Sequence, residues 1–343
     1  MDLDTLFDSP DQFLHAFQPP YAMFVNMDRA AYQRSIFCDM RISPISKGAL
    51  RVSTDDLLAA PALNNAPVDV CYIFHIAHCG STLLARALDL PDQNIVTREP
   101  LILRQLAVTA SNGEKSEAWS KQLALSSALL SRRYIADGPA IVKANVPVNF
   151  IIPELLTLNP KQKSILLYFG LEHYLLAILR SPNHRKWVHS VVHEMRGAIS
   201  KFTPVDETMT DAQKAAALWF AQISIYANIL STNDCAVSLN AETLFNDPLN
   251  TIGNAFTHFG QPQEDKTAQE IIESDLFAKY SKNPKVKFDN DARLERRNNL
   301  RKELAPELDQ AQDWVRKAME TNALPERLPN ALTGQSPALL ERV

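Results

Sequence analysis

The stretch Phe74–Leu88, FHIAHCGSTLLARAL, decides the fold. It closes the run Val68–Ala77, VDVCYIFHIA, whose β-branched and aromatic side chains predict a strand buried on both faces. Behind it, Leu83, Leu84, Ala87 and Leu88 share one face of a helix that Ser81 and Thr82 open. Between strand and helix lies a tight turn, His78–Thr82, and Gly80 is the only glycine from Gly48 to Gly113. A strand that runs straight into a helix through such a turn aims backbone N–H groups, the helix dipole and two hydroxyls at one place. These are the components of an oxyanion site. A Cβ at position 80 is expected to obstruct a phosphate oxygen. The turn is not a Walker A loop, which needs a second glycine and a lysine. The plain alternative is a turn followed by a helix cap.

Outward from this unit, strands alternate with helices. Strands are predicted at Asn94–Thr97, Ala140–Lys143, Lys163–Phe169 and Asp234–Leu239. Helices are predicted from Pro100, over Ser116–Tyr134, Ile151–Leu158 and Tyr174–Leu179 (ended by Pro182), then over Ala212–Leu230, over Pro248–Phe259 with Gly260 as its cap, and from near Pro306. This order predicts an α/β fold of three layers, a central parallel sheet flanked by helices. Residues 1–66 are irregular and proline-punctuated. They read as an N-terminal extension, with short helices and a hairpin around Asp39–Thr54, packed on a main domain over 67–304. A C-terminal helix and tail occupy 305–343.

The 343 residues suffice for a core without staples, and 46% hydrophobic and 22% charged residues are ordinary for a globular chain. A net charge of -4 argues against nucleic acid as main partner, so any anion site is local. Cys38, Cys71, Cys79 and Cys235 form no CxxC pair, which suits free thiols in a reducing compartment. The acidic start MDLDTLFDSPDQF has no signal-peptide pattern, and no apolar run is long enough to span a bilayer. A cytoplasmic protein without a membrane partner is expected.

The turn resembles the 5′-phosphosulfate loop of the P-loop sulfotransferase family, through His78, Cys79, Gly80, Ser81 and Thr82. Further pieces follow in family order: IVTREPLIL with Glu99, IVKANVP with Lys143, SILLYFGLEHYLLAILRS, and VSLNAETLFNDPLNTIGNAFTHFG with Glu242, Leu244, Asp247, Pro248, Phe259 and Gly260. The resemblance runs from about Val68 to about Arg301 and implies sulfuryl transfer from 3′-phosphoadenosine 5′-phosphosulfate (PAPS), with no metal. In that reading Gly80–Thr82 hold the 5′-phosphate, Lys143 and protonated His78 stabilise the bridging oxygen, and Glu99 takes a proton from an acceptor hydroxyl or amine. Glu99 reads equally as a helix N-terminal acid beside Pro100.

Two departures matter. The family's 3′-phosphate arginine falls at Phe169 and its serine at Ala177, and neither residue pairs with a phosphate. Replacements are Arg180, Arg185, Lys186 or the segment Lys279–Lys302, whose nine Lys/Arg read otherwise as a solvated face. A nucleotide-dependent kinase or transferase with another donor, and a non-catalytic nucleotide-binding protein, stay open. His189 and His193, with His184 and Glu194 nearby, have zinc-like helical spacing but lack the HExxH order. Cys79 with His75 or His78 as base would make a thiol enzyme; His75, within an apolar run, reads as a core histidine.

Overall fold

The computed structural model describes residues 3–280, 283–287 and 290–340. The first three strands are β1 (Gln12–Gln18), β2 (Tyr21–Asn26) and β3 (Leu50–Ser53), which form an antiparallel sheet in that order. The next five are β4 (Val70–His75), β5 (Ile95–Arg98), β6 (Ala140–Lys143), β7 (Ser164–Tyr168) and β8 (Ala236–Asn240). They form a parallel sheet in the order β5-β6-β4-β7-β8, flanked by helices. The fold is therefore mixed α/β, as the alternation predicts. Every residue of β4, β5, β6 and β7 is buried, which suits the apolar runs VCYIF in β4, AIV in β6 and ILLY in β7.

The chain divides into two compact units that interleave in sequence. The first holds residues 1–74, 82–164 and 255–263. Its register pairs Ile73 with Lys143 and Arg98 with Lys143, so β4, β5 and β6 end at the same edge. The predicted hairpin lies elsewhere: it is Gln12–Asn26, turning at Pro19-Pro20, with Phe13 opposite Val25 and Phe17 opposite Ala22. The two prolines punctuate a hairpin rather than an irregular segment, because neither has an N–H to offer a ladder. Of the expected span only Leu50–Ser53 is strand, and it pairs with β2.

Two buried arginines fix this N-terminal part. Arg132, 7% exposed, donates to the carbonyls of Leu6, Ser9 and Gln12. Arg98, 1% exposed, donates to the carbonyls of Tyr32, Gln33 and Ser35 and pairs with Asp89 at 2.8 Å. Gln105, on the helix Leu101–Ser111, exchanges two hydrogen bonds with the backbone of Phe17. Helix Pro248–His258 closes at Gly260, whose φ of +80° lets the Gln261 N–H reach the Phe256 carbonyl.

The second unit holds residues 75–81, 165–254 and 264–343. Its longest helix, Asp211–Thr232, starts with a capping box between Thr210 and Gln213. Trp219 is buried there and donates to the Phe169 carbonyl at 3.0 Å. Pro182 does not end a helix, as the sequence suggests. Helix Leu171–Leu179 stops on its own, and Pro182 opens the helix Pro182–Glu194 behind the cap Ser181. The tail runs beside β8, with the Ser238 N–H on the Asn330 carbonyl and the Leu332 N–H on the Ser238 carbonyl. Among the described residues, no helix is long and apolar enough to cross a membrane.

Candidate functional site

The turn His78–Thr82 is built from strained backbone. Ala77 has φ +74°, His78 +51° and Gly80 +81°, after which the helix Ser81–Ala87 begins. Left-handed φ at a non-glycine residue costs on the order of 1 kcal/mol or more, and such strain gathers at functional sites. Of the four non-glycine residues with left-handed φ among the described residues, three are Ala77, His78 and Glu99. His75 is buried, and its Nδ1 accepts the Ala77 N–H at 3.0 Å, so this histidine shapes the turn from beneath. Cys79 is fully buried, with Sγ 3.9 Å from the Leu167 carbonyl. The thiol points into the core, which removes the thiol-enzyme reading.

Gly80 is needed for a different reason from the one the sequence suggests. A Cβ there would lie 2.9 Å from the Phe245 ring, so a side chain and not a ligand fills that direction. Ser81 and Thr82 are both buried, and among the described residues the Thr82 hydroxyl oxygen has no hydrogen-bond partner. A buried orphan hydroxyl is costly unless something else meets it, which suits an anion-binding turn.

His78 belongs to a cluster of rings in the second unit. Its centroid is 4.0 Å from that of His184 and 5.9 Å from Trp187, edge-on. Arg180 is exposed and donates to His184 Nδ1 at 3.2 Å. The predicted His78 and Arg180 are thus joined through His184. The Trp187 contact has no sequence motif to announce it.

Glu99 and Lys143 meet in the first unit. Glu99 follows β5, Lys143 ends β6, and the Glu99 N–H donates to the Lys143 carbonyl at 2.7 Å. Lys143 Nζ is fully buried and pairs with Glu99 Oε1, whose side chain is 15% exposed. Glu99 is therefore no simple helix cap; the cap position of Leu101–Ser111 is Pro100. Three further residues surround the pair, none of them legible in the proline-rich N-terminal sequence. Arg41 Nη2 is 3.7 Å from Glu99 Oε2, Asp39 holds Arg41 through both carboxylate oxygens, and the Phe37 ring lies 3.8 Å from the Arg41 guanidinium.

No family model matches the chain, and no curated protein matches it. Among solved structures, the sulfotransferase domain from the curacin biosynthetic pathway is similar over 61% of this chain and 79% of its own, with 13% identity and a TM-score of 0.36. A sulfotransferase from Alicyclobacillus acidocaldarius is similar over 74% of this chain and 96% of its own, with 11% identity and a TM-score of 0.36. The chain is similar to sulfotransferases.

Phe169 and Ala177, to which the sequence resemblance assigns the 3′-phosphate contacts, are apolar. Phe169 is buried and packs edge-on against His173 at 5.8 Å. Arg185 is occupied: Glu307 takes it bidentately at 2.7 and 3.0 Å, and Asp211 adds a contact at 3.2 Å. These partners raise its pKa further, the Glu307 hydrogen bonds most. Lys186 is exposed. His189 is exposed and bonds Asp211 at 2.5 Å. Among the described residues no three His, Cys, Asp or Glu side chains gather to hold a metal ion.

Within the basic segment Lys279–Lys302, Lys282 lies outside the described residues, as do the side chains of Lys285 and Lys287. Helix Asn290–Glu303 is more than a solvated face. Spaced four apart, Arg293, Arg297 and Arg301 face Glu242 and Glu172: Arg293 grips Glu242 at 2.7 and 2.9 Å, Arg297 reaches it at 3.0 Å, and Arg301 holds Glu172 at 2.6 Å. Arg293 also stacks over Phe245 at 4.4 Å. His173 stays neutral, since burial lowers its pKa to about 4 against the raising effect of Glu242. Three guanidinium charges thus face two carboxylates, a surplus of one positive charge among these groups. Among the described residues, Arg297 Nε and Arg301 Nη2 are buried donors without a hydrogen-bond partner.

Proposed function

We propose that this protein transfers a sulfuryl group from PAPS to a hydroxyl or amine of an acceptor. The acceptor atom attacks sulfur, the bond from sulfur to the bridging oxygen breaks, and 3′-phosphoadenosine 5′-phosphate leaves. Glu99 takes the acceptor proton, while Lys143 meets the charge developing on the departing oxygen. The Gly80–Thr82 turn holds the 5′-phosphate, and the orphan Thr82 hydroxyl is a donor suited to one of its oxygens. Arg180, Arg297 and Arg301 are the cations available for the second phosphate in place of the arginine and serine replaced at Phe169 and Ala177, and the unmatched donors of Arg297 and Arg301 fit such a group.

The observation that carries this reading is the meeting of Glu99 and Lys143, 44 residues apart in sequence, at the shared carboxyl edge of β5 and β6. Ligands of open parallel sheets bind at that edge. A donor other than PAPS, on the same P-loop core, is favoured only by the apolar residues Phe169 and Ala177.

Calorimetric titration separates the readings. Tighter binding of 3′-phosphoadenosine 5′-phosphate than of adenosine 5′-phosphate supports a PAPS donor, equal affinity supports another nucleotide donor, and no binding of either supports a non-nucleotide role. Glu99→Gln should lower turnover at least a hundredfold with donor affinity kept, in line with about 10²–10⁴ for general-base catalysis. An unchanged rate removes Glu99 as the base.

A further inference from the structure

We infer that Arg41, on the N-terminal segment, is a positioning residue that orients the Glu99 carboxylate for the reaction proposed above, and that Asp39 and Phe37 hold Arg41 in place to do so. The inference rests on the proposed role of Glu99 only for its effect on rate. The geometry stands by itself.

The segment is locked where it passes Glu99. The Cys38 N–H donates to the Arg98 carbonyl at 2.6 Å, and the Leu101 N–H donates to the Cys38 carbonyl at 3.3 Å. Residue 38 is therefore hydrogen-bonded on both sides of Glu99, to Arg98 just before it and to Leu101 just after. The buried Arg98 guanidinium fastens the same stretch through the Ser35 carbonyl, and the Ser35 hydroxyl accepts the Ser43 N–H at 3.0 Å. Phe37 and Cys38 are buried, so the anchor does not depend on solvent-exposed contacts.

From this anchor three side chains converge. Asp39 binds Arg41 at Nε (2.9 and 3.2 Å) and at Nη2 (2.5 Å), a fork-on-fork arrangement that fixes the guanidinium plane. Phe37 lies under the guanidinium at 3.8 Å, and its ring is also 5.4 Å from Lys143 Nζ. Glu99 thus has a cation toward each oxygen: Lys143 on Oε1 and Arg41 3.7 Å from Oε2. The latter distance exceeds a hydrogen bond. Arg41 therefore acts on the direction of the carboxylate through charge. The carboxylate is carried on left-handed backbone, φ +54°, a conformation that persists only where its surroundings hold it. Arg41 is 59% exposed, which makes a role as mere core filler untenable.

The test uses the full chain with ¹³C-labelled glutamate side chains, the Glu99 carboxyl signal being assigned by its loss in Glu99→Gln. Arg41→Gln should shift that signal, and Arg41→Lys should return it most of the way. Lys47→Ala, on the same exposed loop, should leave it unmoved. In parallel, with PAPS as donor, Arg41→Gln should lower kcat about tenfold or more with donor KM unchanged, since small misplacements of a reacting group carry penalties of about that size or larger. Arg41→Lys should recover part of the loss. An unmoved Glu99 signal in Arg41→Gln overturns the inference, whatever the kinetics show. A wild-type protein that turns over no PAPS defeats the sulfuryl-transfer reading instead, and the carboxyl signal still decides the role of Arg41.

Discussion

Glu99→Gln and Lys143→Met remove opposite halves of one ion pair, yet they are expected to cost different amounts. Lys143 is 0% exposed and its ammonium has Glu99 as its carboxylate partner, whereas Glu99 is 15% exposed and also faces Arg41 at 3.7 Å. Removing one partner of a buried pair costs about 3–5 kcal/mol when the other charge is stranded. Glutamine keeps an oxygen to accept one hydrogen bond but no charge, which sets Glu99→Gln near the lower end, about 3 kcal/mol. Methionine fills most of the lysine volume, and the carboxylate it leaves behind still reaches water and Arg41. Lys143→Met should therefore cost about 1 kcal/mol. The double variant should cost roughly 1 kcal/mol as well, because no charge remains buried alone. Urea denaturation at pH 7 reads these differences as midpoint shifts at unchanged slope. Lys143→Met costing as much as Glu99→Gln, or a double variant equal to the sum of the singles, refutes the assignment of Lys143 as the desolvated partner.

Thr82→Val removes the orphan hydroxyl at constant shape. Thermal stability should hold or rise slightly, while calorimetric affinity for 3′-phosphoadenosine 5′-phosphate falls about ten- to 150-fold, the worth of one hydrogen bond to a charged group. Gly80→Ala meets both an unfavourable φ and the Phe245 ring at 2.9 Å, so it should destabilise by about 1–3 kcal/mol; Phe245→Leu in addition should restore only part, because the φ of +81° remains. His258 carries a pH dependence. Burial depresses its pKa to about 4, against the raising effect of its hydrogen bond to the Ser164 carbonyl at 3.2 Å. A depressed folded-state pKa means that the unfolded chain binds the proton first. The stabilisation is therefore complete above about pH 6.5 and drains away as pH falls toward 4. Melting temperatures of His258→Asn should fall less steeply than those of wild type across that window; parallel curves would show that this histidine does not carry the effect.

Much of this architecture was legible in one dimension because it rests on local chemistry. VDVCYIFHIA reads as a strand buried on both faces and Gly80 as a turn, and AIVK, KSILLYF and DCAVSL mark β6, β7 and β8 by their apolar, β-branched residues. The same holds for the ends of helices, where Ser116 and Gly260 act on their immediate neighbours. The N-terminal hairpin was misplaced because a Pro-Pro pair reads as punctuation, and pattern alone does not say whether a break ends a strand or joins two.

Residue type and spacing along the chain carry the α/β order, the glycine turn after the first parallel strand, and the candidacy of Glu99 and Lys143. Folding alone reveals that Glu99 and Lys143 share one ion pair, that Cys79 faces the core, that Arg185 is already taken by Glu307, and that Arg41 and Arg297 stand beside carboxylates far away in sequence. The reason is physical: charge and desolvation act through space over a few ångströms, and chain separation leaves no trace of which distant partner will neutralise a buried group.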